Sequence, residues 1–397
     1  MAFKTIYSIF CGAVIGFLIC LFSIGIDTMI KIREYFGFWM ILGLPLAGLV
    51  IVYLYESLGK NANLGVGLLF RKERNQIETL PEFLAPLTWL SSMLSHLFGA
   101  CTGRTGAAIQ IGASIGDLLE RKLSFFRSLT YDITPYIAAS FSGLFGLPLV
   151  GAFFSLEIFD TKTKNLNNLF LVFLSSFSAY GIRYLLGMET FLLPFEFESH
   201  FQLSLIFLSI LSGLAGGLFA FLFQLCKEGF KKFFSSPYAR VLIGSLLLVA
   251  CYILIGNERY FNTGQNLINE QMFLSHDWIL KAALTILCAA SGFVGGEVMP
   301  IFTVGAAFGS VVSSILGIDP SFGAALGVVA FFASSTHTFM TPLILGIEWF
   351  GFSFLPCSFL VVLLSYLLNG KQSIYQNVNK QERSSIIVKV LNKWYNK

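Results

Sequence analysis

Charged side chains are scarce in this chain. Only 12% of its 397 residues are Asp, Glu, Lys or Arg, about half the share of an ordinary soluble domain. The charges that exist are clustered rather than spread, so a water-soluble globule is excluded. Four histidines and seven cysteines with no CxxC pair argue against a metal centre. The cysteines, Cys11, Cys20, Cys101, Cys226, Cys251, Cys288 and Cys357, lie mostly inside apolar runs and read as buried free thiols. HExxH, GxSxG, P-loop and paired-aspartate patterns are all missing, so nothing recommends an enzyme or calls for a cofactor. The net charge of +4 carries little information for an embedded chain and implies no nucleic-acid partner.

What the chain has instead is apolar length. Hydrophobic residues make up 55% and mean hydropathy is +0.75. Uncharged runs at 5–26, 36–55, 83–103, 133–156, 201–226, 298–318, 320–347 and 349–370 each suffice for a hydrocarbon core of roughly 30 Å. The expected class is an all-α polytopic membrane protein. The first run is too long for a signal-peptide core and lacks a persuasive cleavage site, so it reads as a retained helix ending near Asp27. Gly, Pro, Ser and Thr inside several runs predict broken helices, which lipid tolerates only where the freed backbone is buried or lines a cavity. In the run 133–156, Gly143, Gly146 and Pro148 predict two shorter helices. Gly12 and Gly16 form a small-xxx-small pair, read equally as a packing face or as chance. The end of the chain carries Lys371, Lys380, Arg383, Lys389, Lys393 and Lys397 against Glu382 alone. By the positive-inside rule this places the C-terminus in the cytoplasm of a multi-pass protein of the cell membrane.

An internal repeat organises the rest. The stretch Gly103-Arg104-Thr105-Gly106-Ala107 continues to Gly112, Ala113 and Gly116. A shift of 193 residues lays Gly103, Gly112, Ala113 and Gly116 on Gly296, Gly305, Ala306 and Gly309, with Arg104 over Glu297 and Ala107 over Pro300. Glu157 follows Gly103 by 54 residues, and Glu348 follows Gly296 by 52. The chain therefore divides into a first half, 1–190, a second half, 191–370, and a short basic tail, 371–397. Two matched glycine-rich helix starts suggest an anion site between halves that run antiparallel, as in inverted-repeat transporters. Gly65-Val66-Gly67 precedes another short helix and reads either as a third anion-facing helix end or as a plain loop. Glu157 and Glu348 read either as part of a proton route or, preferably, as caps at the membrane surface. His96 and His337 read as hydrogen-bonded packing.

These motifs resemble the CLC family of chloride channels and chloride/proton antiporters. Gly103-Arg104-Thr105-Gly106-Ala107 is similar to the family's G-R-E-G-P signature, and Gly65-Val66-Gly67-Leu68-Leu69 to its G-S-G-I-P. Gly295 to Pro300 resembles its second Gly-Gly-containing motif, and Tyr375 falls where the family has the tyrosine of its central anion site. Gly295-Gly296-Glu297-Val298-Met299-Pro300 looks most like the fluoride/proton antiporter branch, which reads G-G-E-V-T-P. The resemblance implies a homodimer with one pore per subunit, and tilted helices of uneven length aiming several N-termini at a halide. The anion-binding positions it implies are Gly65, Val66, Gly67, Thr105, Gly106, Val298, Met299 and Tyr375.

One departure decides the expected mechanism. The family's gating glutamate is replaced by Thr105, whose hydroxyl does not titrate near neutral pH. The leading expectation is passive, channel-like conduction of chloride or fluoride. A second is a fluoride/proton antiporter in which Glu297 replaces the gate; Glu297 reads equally as an ion-pair partner for Arg104. A third is a degenerate, non-transporting membrane scaffold. The 43 phenylalanines read chiefly as lipid-facing and packing residues.

Overall fold

The computed structural model describes residues 2–59, 62, 65–123, 132–159 and 166–375. These form sixteen α-helices and, among the described residues, no strand. In order they are α1 (Ala2–Phe36), α2 (Leu44–Ser57), α3 (Gly67–Glu73), α4 (Leu84–Leu97), α5 (Thr105–Lys122), α6 (Thr134–Phe145), α7 (Pro148–Ile158) and α8 (Leu166–Leu185). Then come α9 (Ser204–Phe233), α10 (Pro237–Ile255), α11 (Gln265–Glu270), α12 (Asp277–Ser291), α13 (Val298–Leu316), α14 (Pro320–Thr336), α15 (Met340–Phe350) and α16 (Leu355–Leu368). Among the described residues five helical stretches are long and apolar enough to cross a membrane, the first being Phe3–Phe36 and the last Val298–Leu316. Others are too short: α7 and α15 have 11 residues each, about 17 Å at the helical rise.

Local chemistry explains most boundaries. The run 133–156 breaks into α6 and α7, with Gly146 left-handed at φ +74° and Pro148 opening the next helix. The run 320–347, read from the sequence as one segment, also breaks. His337 closes α14 at φ +56°. Pro342 then sits in the first turn of α15, where its ring has no preceding helical carbonyl to strike.

The first helix does not end at Asp27 but continues to Phe36. Hydropathy drops at Asp27, Lys31 and Arg33, yet two of these charges are paired within the protein. Arg33 Nη1 lies 3.0 Å from Glu258 Oε2, and Asp27 lies 2.7 Å from Arg104. Partnered charges let a helix run past the end of its apolar stretch.

Small residues set the closest helix contacts. A Cβ on Gly12 would come within 2.4 Å of the Ser175 carbonyl oxygen, and one on Gly16 within 2.6 Å of Ala179 Cα, so α1 and α8 pack backbone to backbone. Gly305 and Gly309 of α13 meet Gly327 and Gly323 of α14 in the same way. All seven cysteines are free thiols, five buried and two half-buried. His96 is buried with Nδ1 against the Ser92 carbonyl, and His337 meets Asn369 and stacks on Tyr366. Of the tail, only 371–375 lies among the described residues; Lys380, Arg383, Lys389, Lys393 and Lys397 lie outside them.

Glu157 and Glu348 have a role beyond closing their own helices. The Glu157 carboxylate accepts hydrogen bonds from the backbone N–H groups of Phe339, Met340 and Thr341, at the start of α15. Glu348, near the end of α15, accepts from Leu149 and Val150 at the start of α7. Each carboxylate thus satisfies orphan donors of the other helix. Hydrogen bonds to a charged acceptor contribute roughly 1.5–3 kcal/mol. Glu157→Gln and Glu348→Gln are therefore expected each to destabilise by about 1–3 kcal/mol, with Glu157→Gln the larger because it serves more donors. Thermal melting in detergent, followed by tryptophan fluorescence, checks this; unchanged midpoints would show that the caps carry no stability.

Candidate functional site

The two motifs of the repeat meet each other. Gly103 N–H donates to the Gly296 carbonyl at 2.5 Å, and Gly296 N–H donates to the Gly103 carbonyl at 2.6 Å. This is an isolated antiparallel bridge between positions that the shift of 193 residues superimposes. Side chains are impossible here. A Cβ on Gly296 would lie 2.2 Å from Gly106 N, and one on Gly106 2.5 Å from the Gly295 carbonyl oxygen. Glycine is required because backbone occupies the space a side chain would need.

Immediately after the bridge the chain turns into α5 on one side and α13 on the other. Arg104 and Glu297 hold the N-cap positions, and neither side chain caps its helix. Two helices of 18 and 19 residues therefore begin at one point with first-turn N–H groups that no cap side chain occupies. Such paired starts concentrate positive potential and suit an anion. Thr105 and Gly106 open α5; Val298 and Met299 open α13, and all four are buried. The Thr105 hydroxyl is buried with no hydrogen-bond partner among the described residues.

The third motif joins through Gln110. Gly65 adopts φ +57°, and a Cβ there would lie 3.9 Å from Gln110 Oε1. Gln110 Nε2 donates to the Gly106 carbonyl at 2.8 Å, one turn earlier in α5, while Oε1 is buried without a partner among the described residues. Gly65, just ahead of α3, thus lies beside the Gln110 amide that bonds Gly106. Phe70 of α3 carries the contact onward, its ring centroid 6.1 Å from that of Tyr375. Tyr375 is buried, its N–H bonded to Ser373 Oγ.

Arg104 does not pair with Glu297. Its Nη1 donates to Asp27 Oδ1 at 2.7 Å and to Ser23 Oγ at 3.3 Å, both on α1. The bridge joins the backbones at Gly103 and Gly296, and among the described residues the carboxylate that pairs with Arg104 is that of Asp27 on α1. Glu297 is half-buried and has no ion-pair partner among the described residues. Asp27 and Arg104 line a cavity of about 610 Å³ together with Lys31, Arg183, Glu189 and Asn262. The Arg183 guanidinium there donates to the carbonyls of Gly143, Leu144 and Glu189, stopping the end of α6 without a carboxylate.

Sequence reasoning missed Asp27 and Gln110 as parts of this region. The signals were a carboxylate at the end of the first apolar run and a lone amide four residues after Gly106.

Comparison with known proteins defines the class. A family profile described as "Voltage gated chloride channel" matches residues 47–370. A "Chloride/fluoride channel protein" of Pseudomonas syringae pv. tomato is 28% identical over 377 residues, covering 89% of this chain and 81% of its own. The crystal structure of a CLC-type fluoride/proton antiporter superimposes with a TM-score of 0.89 at 32% identity, covering 94% of this chain and 97% of that one. A slow cyanobacterial Cl-/H+ antiporter shares the fold, with a TM-score of 0.79 at 19% identity over 96% of this chain and 99% of its own. The class is that of integral membrane proteins for anion transport, which are not enzymes. The chain belongs to the CLC, or voltage gated chloride channel, family.

The bridge makes a sharp demand. Gly296→Ala is expected to destabilise by about 3 kcal/mol or more, since the clash is with backbone that no rotamer change relieves. Gly181→Ala, where an added Cβ meets nothing within 4 Å, is the control and is expected to leave melting unchanged. Comparable melting and monodispersity of the two variants in detergent would refute the assignment.

Proposed function

We propose that this protein conducts chloride or fluoride passively across a membrane through a CLC-type pathway. The observation that carries the reading is Thr105: a buried, unpartnered hydroxyl opens α5 at the position where the family signature has its glutamate. A hydroxyl donates to an anion and holds no charge that competes with it. The anion is held by Gly65, Val66, Gly67, Thr105, Gly106, Val298, Met299 and Tyr375. Backbone N–H groups, the Thr105 hydroxyl and the Tyr375 phenol offset dehydration, and the absence of a formal positive charge among them keeps release fast.

In this reading the halves 1–190 and 191–370 form the inverted repeat around the bridge. Two subunits associate as a homodimer with one pathway each, in the cell membrane, with the tail 371–397 in the cytoplasm.

Glu297 supports a second reading. It is an intramembrane carboxylate without an ion-pair partner among the described residues, and the 32%-identical neighbour is a fluoride/proton antiporter. Here Glu297 would carry the proton that Thr105 does not.

Purified protein in liposomes, loaded with chloride or fluoride and a pH indicator, separates the two. The expected result is halide efflux without uphill proton movement, retained in Glu297→Gln. Proton movement driven uphill by the anion gradient and abolished in that variant establishes the antiporter instead. No halide flux leaves the scaffold. Thr105→Glu is expected to lower passive flux about tenfold near neutral pH, the effect of about 1.4 kcal/mol. The loss is relieved at acid pH, where the new carboxylate is protonated and stops competing with the anion.

A further inference from the structure

Arg104 is the cation nearest in sequence to Thr105, and its charge is managed from α1. The Arg104 side chain is 8% exposed, while that of its partner Asp27 is 49% exposed and faces the 610 Å³ cavity. The guanidinium is fixed at one end only. Nη1 meets Asp27 and Ser23, whereas Nε is buried with no partner among the described residues. The other guanidinium groups lining the cavity are committed elsewhere. Arg33 pairs with Glu258, and Arg183 donates to three backbone carbonyls. Lys31, Glu34 and Glu189 complete the charged lining.

We infer that Asp27 is a positioning residue for the anion pathway: it holds the Arg104 guanidinium against α1 and offsets its charge beside Thr105. The inference rests on the pathway reading above. Its physical content is a balance. An uncompensated guanidinium at the start of α5 would add to the positive potential of two helix starts and retain the anion. Conduction needs binding weak enough for release. A carboxylate on a neighbouring helix supplies that weakening without entering the pathway itself.

The test measures halide flux against concentration in liposomes containing the full chain. Asp27→Asn is expected to lower the half-saturating halide concentration about two- to fivefold, the range a half-exposed ion pair supports. The flux at saturating halide is expected to fall with it, because release slows. Asp27→Glu restores both values. In an Arg104→Gln background, Asp27→Asn has no further effect. Asp27→Ser, which keeps a neutral hydrogen bond, serves if the Asn variant does not fold. A purely structural role would reduce the number of active vesicles and leave the half-saturating concentration where it was; that result overturns the inference. So does an equal shift with and without Arg104. Absence of flux in the unmodified protein removes the pathway reading and this inference with it.

Discussion

The reciprocal pair of hydrogen bonds between Gly103 and Gly296 is the constraint on which the rest of the molecule depends. It makes the start of α5 and the start of α13 a single object, because neither backbone can shift without breaking the other's hydrogen bond. Everything attributed to the site follows from that coincidence. The N-terminal ends of two long helices share one region, the bridge residues and Gly106 must be glycine, and the Arg104 side chain leaves toward α1. In the proposed pathway an anion there would meet oriented N–H groups already in place, so binding would require little reorganisation.

The electrostatic character of the region comes from what is neutral as much as from what is charged. Thr105, Val298 and Met299 bring no formal charge to the helix starts. Arg104 is turned toward α1, and Glu297 makes no ion pair among the described residues. In surroundings of low dielectric each added charge would weigh heavily. A site made of partial charges is suited to an ion that must both lose its water and leave again. Gln110 adds a buried carbonyl oxygen beside Gly65 that has no partner among the described residues, a group that accepts rather than donates.

Much of this was legible in the sequence, and the omissions have physical causes. Apolar length identified the class, and the shift of 193 residues identified Gly103 and Gly296 as counterparts before any contact between them was known. The division of 133–156 at Gly146 and Pro148 followed from backbone rules. By contrast, the break at His337 uses a non-glycine residue in the left-handed region, which composition does not announce. The end of α1 was misplaced because hydropathy records charge and not the partner of a charge; Arg33 with Glu258, and Asp27 with Arg104, are pairings across the fold. Position in the repeat left an Arg104–Glu297 ion pair as one of two equal readings of Glu297, yet symmetry of sequence position is not proximity of side-chain ends.

The exchange between Glu157 and Glu348 has a consequence for assembly. The N–H groups of Leu149 and Val150 await a carboxylate that lies 199 and 198 residues further along the chain. Until α15 has been synthesised and inserted, α7 presents uncapped donors in apolar surroundings, where they are costly. α7 is therefore left unfinished by its own sequence, and docking of α15 completes both helices at once. Such closure couples maturation of the whole chain to its last segments.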